Sequence, residues 1–120
     1  MPFMFENLEV YQKAVDFAER IISLTEEFPK GYYFLTDQLN RASLSIATNI
    51  AEGNGRFTKG DRRNFFIVAR GSVQECVPLL EIAKRKRLIP DVIFSDLLNK
   101  LEVISKMISG LINGLEKRKK

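Results

Sequence analysis

The sequence predicts an all-α fold, an antiparallel up-down-up-down four-helix bundle, on three observations. Four stretches repeat apolar residues at steps of three and four, the spacing that gathers them on one face of an α-helix. Their connections are short and marked by Pro29 and Gly31, by Gly53 and Gly55, and by Pro90, and short connections favour antiparallel neighbours. No run of alternating β-branched residues is present, nor a hairpin turn between two such runs. At 120 residues, 45% of them hydrophobic, the chain is expected to form a single domain (1–120) that buries a core without disulfides or metals.

The first helix is expected over residues 8–28, where Tyr11, Ala14, Ala18, Ile21, Ile22 and Thr25 recur at helical spacing. Asn7 is its expected N-cap, with Glu9 facing the positive helix end. Pro29, Lys30 and Gly31 end it. Tyr32, Tyr33, Phe34 and Leu35 are too aromatic for a solvated loop and are expected to pack down over the end of the core, as a lid or a short helical turn.

The second helix is expected over 36–53, capped by the hydroxyl of Thr36. Leu39, Ala42, Ser43, Ile46 and Ile50 form its apolar seam, and Arg41, Ser45, Asn49, Glu52 and Arg56 form a polar stripe beside it. Gly53, Asn54 and Gly55 read as a stop signal, since glycine reaches the left-handed conformation that closes a helix. Thr58 followed by Asp61 resembles a capping box and opens a third helix over 59–87. That helix carries one apolar row of Phe65, Ala69, Ser72, Cys76, Leu79 and Ala83 and a second of Phe66, Val73, Val77 and Leu80. Two rows are more than one partner helix covers. Pro78 lies inside, where it removes a backbone donor and presses on the carbonyl of Gln74, so a kink is expected. The fourth helix, over 91–117, places Phe94, Leu97, Leu101, Ile104, Ile108, Leu111 and Leu115 on a heptad seam. Gly110 and Gly114 weaken it by about 1 kcal/mol each, so tertiary packing has to hold it.

Composition restricts the chemistry. There is no histidine, which removes the commonest general base and metal ligand together and, with them, the Glu-x-x-His pairs of di-iron bundles. Cys76 is the only cysteine, so no intrachain disulfide forms and a cytoplasmic setting is the natural reading. Glu6, Glu9, Lys13 and Asp16 interrupt the region where a signal peptide would be apolar, and no uncharged run approaches the roughly 20 residues of a membrane span. Charge is divided along the chain. Residues 1–55 hold four bases against eight acids, and residues 56–120 hold fifteen against seven. The asymmetry points to an anionic partner.

The segment SLSIATNIAEGNGR, with the downstream FFIVARGSVQE, lies between EVYQKAVDFAERIISLTEEFP and the C-terminal heptad helix. This arrangement resembles the bacterial four-helix bundle family of 23S rRNA intervening-sequence (S23-type) proteins over nearly the whole chain. The resemblance implies a ring-shaped homo-pentamer. It also implies a relation to the accessory variability protein of diversity-generating retroelements, a basic pentamer that binds nucleic acid and a reverse transcriptase. The family motif falls on Asn49, Ile50, Ala51, Glu52, Gly53, Gly55, Arg56, Gly71, Ser72 and Glu75. Asn40 stands where the pattern places a second arginine beside Arg41, and Pro78 where a helix former is usual, so a less basic second helix and an altered third-helix interface are expected.

The polar stripe with Glu75 admits two readings, a catalytic carboxylate-amide pair or a buried joint in which a glutamate pairs with arginine and Asn49 bonds backbone. No nucleophile and base complete a mechanism, so the joint is the expectation, with no catalytic residue, metal or cofactor. The basic clusters carry more. In an antiparallel bundle Arg56, Lys59, Arg62 and Arg63 emerge at the same end as Lys117, Arg118, Lys119 and Lys120, gathering eight of nineteen bases at one pole. A ring would multiply that patch into a sequence-independent surface for RNA or DNA. Lys84, Arg85, Lys86 and Arg87 belong to the opposite pole, with Lys30. No aromatic-interleaved surface for base stacking is evident. Apolar residues on outer faces, Leu44, Ala51, Ile67 and Ile82, point to contacts between subunits. The expected function is that of a non-enzymatic oligomer binding nucleic acid through basic poles, as a scaffold; the rival is a protein-protein adaptor that touches no nucleic acid.

Overall fold

A computed structural model of the chain describes residue 5 and residues 8–117. Four helices follow in order: α1 (Glu9–Thr25), α2 (Tyr33–Asn54), α3 (Lys59–Arg85) and α4 (Asp91–Lys117). Each packs against its neighbours around a square, α1 on α2, α2 on α3, α3 on α4 and α4 on α1. The result is an antiparallel four-helix bundle measuring 51 × 27 × 21 Å. The register is read from bonds between helices: Thr25 meets Asn40, Ser72 meets Ser45, Arg70 meets Ser109 and Arg63 meets Glu116.

The ends of the helices depart from the sequence expectation for local reasons. Asn7, the expected first cap, lies outside the described residues; Leu8 holds the cap position in extended conformation, without a side-chain bond. α1 stops at Thr25 rather than residue 28, because the next turn tightens into bonds from Glu27 N–H to Leu24 O and from Phe28 N–H to Thr25 O, each 3.1 Å. The buried Thr25 hydroxyl lies 3.1 Å from both Ile22 O and Asn40 Oδ1. Its one proton serves one of them; exchanging the amide oxygen and nitrogen of Asn40 satisfies both. Asn40 is thereby part of the α1–α2 joint.

Gly31 adopts φ 101°, which turns the chain so sharply that α2 begins at Tyr33 and not at Thr36. Thr36 is therefore inside the first turn, donating its N–H to Tyr32 O at 2.9 Å, and does not cap. Of the aromatic segment only Leu35 is buried. Tyr33 and Phe34 are each 67% exposed, which corrects the expected lid. The Gly53–Gly55 signal also works differently. Gly55 closes α2 with φ −88°, on the right-handed side, and Gly53 is buried within the helix. A Cβ on Gly53 would stand 2.7 and 2.8 Å from Phe66 ring atoms and 3.0 Å from Phe65 Cβ. Close approach of α3, not turn geometry, requires that glycine.

Thr58 caps α3 as expected, accepting the Asp61 N–H at 3.1 Å. The core side of α3 comprises Phe66, Ala69, Ser72, Val73, Cys76, Leu80 and Ala83, so the two expected rows merge, and Phe65, Leu79 and Val77 are left at its borders. α3 runs unbroken through Pro78, whose ring is exposed. It ends two residues before the expected 87, in a left-handed cap: Leu88 N–H bonds Ala83 O and Arg87 N–H bonds Lys84 O, both 2.9 Å. Arg87 occupies the left-handed position at φ 62°, where glycine is usual. Replacing Arg87 by glycine is expected to raise stability by about 0.5–1 kcal/mol, since relief of Cβ strain exceeds the added backbone entropy. An increased urea midpoint at unchanged slope is the readout.

α4 spans its expected range. Its seam follows the heptad through Ile108 and then takes Ile112 in place of Leu111, which is half-buried. A helix of 3.6 residues per turn drifts about 20° per heptad, and a step of four restores the inward direction.

Candidate nucleic-acid interface

Along α2 the polar stripe resolves into two unlike parts. In the middle, Ser72 Oγ donates to Ser45 Oγ at 2.8 Å, while Asn49 Nδ2 donates to Ser45 O at 2.8 Å and to Ser45 Oγ at 2.9 Å. Ser72 is buried and Ser45 and Asn49 are half-buried, so these bonds form a small polar joint between α2 and α3. At the end, Glu52 and Arg56 form an exposed ion pair of 2.9 Å one helical turn apart. Glu75 does not join the stripe as expected. It points to solvent, one residue round α3 from the buried face. Gly71 is exposed too, with nothing within 4 Å of a Cβ placed on it, so no contact within the chain requires glycine there.

Cys76, on the core side of α3, is fully buried. Burial, and secondarily the Glu75 carboxylate, push its thiol up to about 12 from an ordinary 9.0. The raised value means that the folded chain keeps a proton which the unfolded chain releases. Stability from this group is complete below pH 9 and is lost as pH rises toward 12. In the native protein at neutral pH the thiol is expected to resist alkylation, with modification appearing only at denaturant concentrations that unfold the bundle. Rapid labelling without denaturant would contradict its burial.

The basic residues gather at the end where α2 passes to α3 and α4 finishes. Arg63 Nε donates to Glu116 Oε2 at 2.7 Å, tying the start of α3 to the last turn of α4. Arg56, Lys59, Arg62, Arg63 and Lys117 thus share one pole; Arg118, Lys119 and Lys120 lie outside the described residues. Asp61, Glu52 and Glu116 are the acids among them. Arg62 Nε donates to the Arg56 carbonyl at 2.7 Å, bracing the turn. The Arg56 guanidinium carbon sits over the Phe65 ring, 4.6 Å from its centre, a cation–π contact. Between Arg56 and Lys59 stands Phe57, 100% exposed. Sequence reasoning overlooked it, although an aromatic residue between two bases in a turn was the available signal.

At the far pole, Lys84 Nζ lies 4.6 Å over the Phe94 ring and Arg85 pairs with Glu81 at 3.0 Å. A cleft of about 630 Å³ lies between α1 and α4. Lys13, Arg20 and Lys100 face Asp16 and Asp96 around its floor of Phe17 and Ile104, a rim of mixed sign. Among the described residues no three metal-ligating side chains come together, and no helix is long and apolar enough to cross a membrane.

These features define an all-α bundle with a polar α2–α3 joint and a basic end. The chain belongs to the 23S rRNA-intervening sequence protein family, whose profile matches residues 6–110. It is similar to a crystal structure from Bacteroides thetaiotaomicron, described as a protein of unknown function from the S23 ribosomal protein family. The two share 25% identity and superpose with a TM-score of 0.80, over 86% of this chain and 97% of the other. None of the curated proteins matches the sequence.

Proposed function

We propose that this chain is a non-enzymatic, oligomeric scaffold of the cytoplasm that binds RNA or DNA electrostatically through the pole of Arg56, Lys59, Arg62, Arg63 and Lys117, extended by Arg118, Lys119 and Lys120. The Arg63–Glu116 bond is the observation that carries the reading, because it brings the bases of the α2–α3 turn to the same end as Lys117. The ion pairs there are exposed, and exposed pairs are worth only about 0–1 kcal/mol. A phosphate therefore displaces Glu52 or Glu116 at little cost. The family's association with intervening sequences of 23S rRNA favours RNA among the polyanions.

Oligomerisation, to a pentamer by family resemblance, is supported by apolar side chains left outside the bundle: Leu44 is 45% exposed, Val68 51% and Ile82 45%. The open surface at Gly71 would let another helix approach α3 closely. The same surface favours the second reading, a protein-protein adaptor without nucleic acid.

Titration of a labelled oligonucleotide at about 50 mM and about 200 mM salt separates the two readings, since phosphate contacts release counterions and make affinity fall steeply with salt. Absence of binding at the lower salt would leave the adaptor. Mass measurement in solution tests the assembly, and a monomer at micromolar concentration would remove both the ring and its multiplied patch.

A further inference from the structure

Phe57 has no folding role. Its ring is 100% exposed, whereas every other phenylalanine among the described residues except Phe34 is at least half-buried. The backbone around it is nonetheless held. Arg56 N–H bonds Gly53 O at 3.2 Å, Arg62 Nε holds Arg56 O at 2.7 Å, and Thr58 accepts Asp61 N–H while its carbonyl accepts Arg62 N–H at 3.0 Å. The turn thus displays an aromatic face from a fixed base, between Arg56 and Lys59 in sequence. Next to it in sequence, the Arg56 guanidinium is a second flat group, seated over the Phe65 ring. A polyanion bound by charge alone needs neither flat surface. An unpaired base offers a π-face to both, and duplex nucleic acid keeps that face stacked inside the helix.

We infer that the α2–α3 turn selects single-stranded nucleic acid by stacking an unpaired base on Phe57, while Arg62, Arg63 and Lys117 hold the adjoining phosphates. The inference rests on the proposed nucleic-acid role of this pole and adds the strand class to it.

The test compares wild type, Phe57→Ala and Phe57→Trp against a single-stranded oligonucleotide of about 12 nucleotides and against its duplex, at about 50 mM salt. Phe57→Ala is expected to weaken single-strand binding about tenfold, leaving duplex binding and the salt slope within about twofold of wild type. The chain has no tryptophan, so Phe57→Trp supplies a lone reporter. It should retain single-strand affinity, and its emission should be quenched by the single strand but not by the duplex. If Phe57→Ala leaves single-strand binding unchanged, or weakens both forms equally, the stacking role fails while electrostatic binding stands. A drop in solution mass on Phe57→Ala would assign the ring to contacts between copies and overturn the inference. Absence of wild-type binding to either form would overturn the proposed function as well.

Discussion

Gly53→Ala is expected to destabilise the bundle by about 2 kcal/mol, while the same substitution at Gly110 stabilises it by about 1 kcal/mol. Gly110 is an interior helical position, where alanine gains about 1 kcal/mol through lower backbone entropy in the unfolded chain, and Gly53 lies in the last turn of α2, where the gain is at most about that. At Gly110 nothing lies within 4 Å of the new methyl, so that gain is kept. At Gly53 the methyl meets the Phe66 ring at 2.7 and 2.8 Å and Phe65 Cβ at 3.0 Å. Phe66 is buried and cannot swing aside, and Phe65 Cβ moves only with the α3 backbone. Overpacking of that kind costs about 1–3 kcal/mol and outweighs the entropy gain. Thermal midpoints at one protein concentration should move in opposite directions, by roughly 8 °C down and 4 °C up. Phe66→Leu combined with Gly53→Ala should lose less than the two single changes added together, because the smaller side chain vacates the contested space. Equal shifts at the two glycines would mean that α2 and α3 approach less closely than described.

Neutralising Arg62 and Arg63 together as glutamines is expected to lower nucleic-acid affinity roughly 10- to 100-fold at about 50 mM salt and to flatten the salt dependence, by about one unit of slope for each phosphate no longer neutralised. The folding cost should be small. Arg63 gives up a half-exposed pair with Glu116 and Arg62 a bond to the Arg56 carbonyl, about 1 kcal/mol or less each. The control is Lys86→Gln with Arg87→Gln, which removes the same charge from the far pole. A binding site at the α2–α3 pole predicts little change there. Equal losses at both poles would reduce the effect to net charge and remove the site.

Much of the fold was legible because bundle helices write their inward faces into sequence. Ala14, Ile21, Leu39, Ile46, Leu97 and Ile104 are all buried as their spacing required. The ends were less legible, because they depend on backbone conformations that side-chain periodicity does not report. Gly31 at φ 101° moved the start of α2, and Arg87 at φ 62° closed α3 in a position that no glycine marked. The candidate site divided in the same way. The convergence of Arg56, Lys59, Arg62, Arg63 and Lys117 followed from antiparallel topology alone. The separation of Glu75 from the Ser45–Asn49–Ser72 joint depended on the rotation of α3 about its axis, which two competing apolar rows left open.

The sequence by itself determined that this chain is helical, that it has four helices with short turns, and that its bases fall at two ends, since periodicity, breakers and charge order are local properties. The family motif was readable at that level as well. Only the tertiary structure decided what the motif residues do. Gly53 has the sequence context of a turn glycine, yet it is the Phe66 ring packed against it that requires a glycine there. Phe57 is one aromatic residue among many in the sequence, and only the fold leaves it uncovered. Close approach and exposure are relations between residues distant in the chain, fixed by how far one helix is turned against another, and hydrophobic spacing along a single helix specifies that angle only to within about a residue.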